Sequence, residues 1–173
     1  TALVDKINQS HDLIEINHIV DDGTNLNDIM HELAQSIIDN YAPTKASINY
    51  INADTQLRDN FKQAINNARN VLNKTKGQNL DFEAVDALKD AISETKDSLN
   101  GIERLKAAKL KADKFIEGLN HINKAQLTHA LKDVASTDSL TKLSRLINKS
   151  MNLDDAMNAL KDSLINNAAP VQA

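Results

Sequence analysis

Three residues stand at a spacing that could hold a metal. His11, Glu15 and His18 fall at i, i+4 and i+7, one face of a helix, and two imidazoles with a carboxylate suit zinc. The residues 127 positions later are Asp138, Lys142 and Arg145, a solvated face with no ligand character, so no metal is expected at the first set. Asp21-Asp22-Gly23 has the look of a calcium loop, but counting back five from Gly23 lands on His18, where such a loop needs an acidic or amide ligand. Asp154 and Asp155 could serve as an acid/base pair; as first-turn residues of a helix their negative charge is accounted for by the exposed N–H groups there. His31, His121 and His129 are scattered surface residues, and Met30, Met151 and Met157 are core filler. There is no glycine-rich phosphate loop, no nucleophile elbow and no cysteine, so neither catalysis nor a cofactor is expected, and no site residue can be named.

Charge points the same way. The 173 residues carry a net charge of −4, unevenly spread: 1–46 hold 2 basic and 8 acidic groups, while the rest is close to balanced. No part has the concentrated Lys/Arg face that displaces counterions from nucleic acid. Arg104, Lys106, Lys109, Lys111 and Lys114 form the one cationic stretch; at 100° per residue they spread over a solvated face, with docking of an acidic protein the lesser reading. No apolar run approaches the ~20 residues of a membrane span.

The elements that would carry these residues are helices. Two prolines and four glycines leave few tight turns, which argues against a β-sandwich or barrel. Leu57, Phe61, Ala64, Ile65, Ala68, Val71 and Leu72 make one apolar stripe, predicting a helix capped by Asp54 and ended by Lys76-Gly77. Val85, Leu88, Ile92, Thr95 and Leu99 mark a second, ending at Asn100-Gly101, and Ile102, Leu105, Ala108, Ala112, Phe115 and Leu119 a third. These three predict an antiparallel bundle.

An internal repeat frames that bundle. Offset by 127 residues, 25–46 and 152–173 are identical at 11 of 22 positions, and Pro43 falls on Pro170. Upstream, Val4, Ile7, Leu13, Ile16, Ile19 and Val20 face Leu131, Val134, Leu140, Leu143, Leu146 and Ile147. Each copy reads as three short helices. In the second, Asn123 and Gln126 form a capping box, 136–139 break the chain, and Asn152 caps the last helix; Asn25 does the same in the first. The expectation is all-α: three consecutive three-helix bundles in an elongated array, at 1–46, 47–120 and 121–173, with prolines between bundles.

The middle segment resembles the FIVAR domain of bacterial surface proteins, through Tyr50-Ile51-Asn52-Ala53-Asp54, then Phe61, Ala64, Ala68, Val71-Leu72, Val85, Leu88, Ala91-Ile92 and Leu99-Asn100-Gly101. The flanks resemble the GA module, through Ile147-Asn148-Lys149 and Asn158-Ala159-Leu160-Lys161. Alternation of the two is similar to the giant matrix-binding surface proteins of staphylococci. The resemblance implies a monomeric repeat of a cell-wall-associated adhesin that engages host matrix, fibronectin above all, and supports biofilm. Albumin binding, the other activity it implies, should be weak or absent: Leu143-Ser144-Arg145-Leu146 and Ile16-Asn17-His18 stand where aromatic anchors would be needed. A spacer with no ligand of its own is the alternative.

Overall fold

The computed structural model describes residues 2–78 and 80–168, and its secondary structure there is helical throughout. The helices are α1 (Ala2–Gln9), α2 (Leu13–Ala46), α3 (Ile48–Asn52), α4 (Thr55–Val71), α5 (Phe82–Asp97), α6 (Gly101–Glu117), α7 (Lys124–Ser136) and α8 (Leu140–Ala168). The all-α class is therefore what the chain adopts, and the capping box at Asn123 and Gln126 forms with both of its hydrogen bonds.

Two expected helix breaks are absent. α2 and α8 run unbroken for 34 and 29 residues, straight through Asn25 and Asn152, so 2–46 holds two helices where three were expected. The polar residues at these points fold back onto their own helix: Thr24 Oγ1 donates to the Val20 carbonyl at 2.9 Å and Ser150 Oγ to the Leu146 carbonyl at 3.0 Å. Pro43 does not end α2 either. It sits in the last turn, and the helix closes at Ala46 with Ser47 N–H on the Thr44 carbonyl. Pro170 lies outside the described residues. α4 stops at Val71, short of Gly77, because the Asn73 side chain accepts from Thr75 and Lys76 N–H and turns the chain. Asp54 occupies its N-cap position without a side-chain cap bond.

The chain packs as two compact units, residues 1–50 with 54–99, and residues 51–53 with 100–173. In the first, α4 and α5 pack on each other and on the C-terminal half of α2. Ile29, Leu33 and Ile37 of α2 meet a core formed by Phe61, Ile65, Val85 and Ile92, with Tyr50 edge-on to Phe61 at 6.0 Å between ring centroids. Lys89 on α5 pairs with Glu32 on α2, which holds its ammonium pKa above the ordinary value, and Lys96 Nζ donates to Asn40 Oδ1 at 2.9 Å. In the second unit α6 packs with α7 and α8 around Ala112, Ile116, Val134 and Leu143. The expected boundaries at 47 and 120 differ from these units: the third helix expected in the middle bundle packs with α7 and α8, and the helix that packs with α4 and α5 comes from 1–46.

Gly23 lies inside α2, where glycine costs about 1 kcal/mol relative to alanine. A Cβ there would stand 3.2 Å from Leu3 Cδ1, the flexible tip of a side chain. The equivalent position one repeat later is Ser150, which is buried without breaking α8. Gly23→Ala is therefore expected to raise the thermal midpoint of the first unit by circular dichroism. A lowered midpoint would mean that Leu3 cannot give.

Candidate interaction surface

The candidate metal face does not assemble. α2 begins at Leu13 with Asp12 as its N-cap, so His11 precedes the helix that carries Glu15 and His18. The Glu15 carboxylate instead accepts from Ser10 Oγ at 2.6 Å. Asp21, Asp22 and Gly23 are inside α2 and form no loop. Among the described residues no group of three or more acidic, histidine or cysteine side chains is placed to hold a metal.

The two aspartates of α8 separate in role. Asp154 is in mid-helix, not a first turn, and its carboxylate gathers the turn between α6 and α7: Oδ1 accepts from His121 N–H at 2.7 Å and Ile122 N–H at 3.1 Å, and Oδ2 faces His121 Nδ1 at 3.0 Å. The His121 side chain, aided by the two backbone donors and opposed by partial burial, holds the Asp154 carboxyl below the usual carboxylate range. A group depressed in the folded state contributes stability above its unfolded pKa of about 3.9, lost as pH falls through the folded value. Acidification below about pH 4 should therefore loosen the second unit, and Asp154→Asn should flatten that part of its stability–pH profile. An unchanged profile in the variant, followed by amide exchange at 119–123, would count against this role. Asp155 is exposed.

The cationic stretch of α6 also divides. The Arg104 guanidinium donates to the Asn52 carbonyl at 2.7 Å, and Lys109 Nζ to the Ala135 carbonyl in the last turn of α7, also at 2.7 Å. Those two side chains hold the second unit together, while Lys106, Lys111 and Lys114 are exposed around Leu110, itself 57% exposed. Tyr41, between Lys45 and Arg69, is a second cationic feature that spacing did not reveal. Lys45 donates to its hydroxyl at 3.4 Å and the Arg69 guanidinium lies 4.2 Å from its ring, which lowers the phenol's pKa.

The concave surfaces are grooves between helices. In the first unit a cleft of about 880 Å³ has Leu3 and Lys6 of α1 with Asp22 and Leu26 of α2 along one wall, and Leu80, Asp81, Phe82 and Glu83 along the other. In the second unit a mainly apolar groove of about 330 Å³ runs between α7 and α8. Neither converges polar groups on a point where a reacting atom could sit. Besides these grooves, the last turns of α8 leave Leu160, Leu164 and Ile165 more than half exposed, at 52%, 64% and 58%. No described helix is long and apolar enough to cross a membrane.

Helical modules repeated along one chain define a tandem-repeat protein. Its segments match two families: the FIVAR domain over residues 30–100 and the GA module over residues 1–29 and 102–156. It is 42% identical over 156 residues to extracellular matrix-binding protein EbhA of Staphylococcus aureus strain Mu3, covering 90% of this chain and 2% of that protein. The same-named protein of strain Newman is 41% identical, with 90% of this chain and 4% of that protein covered. Two crystal structures are similar. The 756–1003 domain of S. aureus EbhA superposes with a TM-score of 0.78 at 29% identity, over 86% of this chain and 61% of that one. A second S. aureus domain, described as similar to streptococcal adhesins, gives 0.61 at 26%, over 72% and 98%. The chain thus spans a few hundredths of the length of these full-length relatives, which are named as matrix-binding proteins and not as enzymes.

Proposed function

We propose that the chain is one repeat of a bacterial cell-surface adhesin that binds host extracellular matrix, fibronectin in particular, through many weak and repeated contacts. The observation that carries the reading is its 42% identity, along nine-tenths of its length, to a protein named for matrix binding. The surface supports the multivalent part: exposed apolar side chains such as Leu110 and Ile38 are aliphatic, and the described residues expose no aromatic cluster to anchor a tight contact. Each repeat then adds little, and affinity comes from an immobilised ligand meeting an array. Albumin binding by 121–173 stays weak or absent on this reading.

The functional module is framed by the helices. Residues 30–100 take their first helix from the end of α2, and 102–156 take their last from the start of α8, so α2 passes from one module to the next. Chains of one, two and four repeats, measured on dense immobilised fibronectin and on soluble fibronectin, test the function. Steeply rising apparent affinity on the surface alone is expected. Equal binding by all lengths would overturn the multivalent mechanism, and no binding in any format would leave a spacer.

A further inference from the structure

We propose that the apolar groove between α7 and α8 is a docking site for the Leu-Asp-Phe-Glu edge of a FIVAR module that follows in tandem, equivalent to Leu80-Asp81-Phe82-Glu83 of this chain. The repeat supplies the occupant. At the offset of 127, Leu3, Lys6, Asp22 and Leu26 become Ala130, Asp133, Lys149 and Leu153. The first four line the cleft of the first unit, and the second four line the α7–α8 groove. One surface has thus been built twice. In the first unit it faces Leu80, Asp81, Phe82 and Glu83 across the cleft, whereas in the second its lining comes from α7 and α8 alone.

Size agrees with that occupant. The groove is floored by Ala130, Leu146 and Leu153, with Ser150 buried beneath, so it accepts apolar side chains and not a further helix. Leu80 and Phe82 offer such side chains; Phe82 is 43% exposed and capable of a further contact. Asp81 and Glu83 bring two carboxylates towards a rim where Lys149 is exposed and His129 lies against Asp133 at 3.3 Å, so Lys149 is the cation they can meet. Across the repeat the charges exchange places, Lys6 and Asp22 giving way to Asp133 and Lys149, so each copy of the groove carries one lysine and one aspartate. Two walls that meet this way would fix the angle between one repeat and the next, which a helix joint alone does not do.

The absence of cysteine allows a direct test. In a two-repeat chain, residues 1–173 continued with 47–173, His129→Cys is combined with Phe82→Cys in the second repeat only. Intramolecular disulfide formation under mild oxidant is expected to be at least about tenfold faster than for a Lys132→Cys partner outside the groove, reflecting a higher effective concentration. Lys149→Glu should reduce that preference. Equal rates for the two pairs, or no disulfide with His129→Cys, would overturn the proposal. Both positions are exposed, so the variants should fold, and unchanged helicity by circular dichroism verifies it. Fibronectin binding plays no part in the readout, so docking and adhesion fail independently.

Discussion

Leu33→Ala is expected to destabilise the first unit by about 3–5 kcal/mol, while Leu160→Ala changes the stability of this chain by less than about 0.5 kcal/mol. The two leucines hold the same position of the 127-residue repeat. Leu33 is 0% exposed, packed where α2 meets α4 and α5, so truncation removes transfer energy and leaves a cavity that the surrounding helices cannot fill. Leu160 is 52% exposed on α8, and an alanine there is solvated with a slightly better helix former. Urea unfolding followed by amide exchange at Ile65 and Ile92, beside Val134 and Leu143, separates the two units. A Leu160→Ala cost near that of Leu33→Ala would mean that α8 is covered by something in solution. Where a second repeat follows, the same substitution should become costly, because its α4 and α5 equivalents would lie against α8 as they lie against α2 here.

That contrast shows how far the sequence could be read. Stripes such as Phe61, Ala64, Ile65 and Ala68 place an apolar face on one side of a helix, and all four are buried. The capping box at Asn123 and Gln126 is a local device with its partners three residues apart, and it forms. What local signals could not show is which stripe meets which. Asn25 and Asn152 carry good capping side chains, yet α2 and α8 continue through them. The fold pairs the stripes one helix out of step with the expected bundles: α6 packs with α7 and α8, and the second half of α2 with α4 and α5. The repeat offset itself was legible, since identity along a sequence does not depend on which faces pack. His121 and Asp154, 33 residues apart, and Tyr41 and Arg69 carried no spacing signal.

The largest effect that spacing could not foresee belongs to Asn52. Asn52→Ala is expected to destabilise the second unit by about 2–3 kcal/mol, through the loss of buried hydrogen bonds. Its side chain is 2% exposed for the whole residue and spans the junction of α7 and α8: Nδ2 donates to the Asp138 carbonyl at 2.9 Å, and Oδ1 accepts from Leu140 N–H at 2.8 Å. Leu140 N–H is one of the first-turn donors that no helical carbonyl can reach, so Asn52 supplies a cap from 88 positions away in the chain. Alanine would strand a donor and an acceptor together. Aspartate separates the two halves of the interaction, since it keeps an acceptor for Leu140 but sets a carboxylate against the Asp138 carbonyl in place of the amide donor. Asn52→Asp should therefore be at least as damaging at neutral pH and recover partly on acidification, as the protonated acid regains an O–H donor. Amide exchange at 140–143 reads both. Faster exchange there, with Ile65 and Ile92 unchanged, is the expected result; uniform loss across both units would assign Asn52 a wider role, and no change would show that the bridge contributes nothing. The Asn of the Tyr-x-Asn-Ala-Asp motif is thus a helix cap for a partner far along the chain, a role visible only once the fold places the two together.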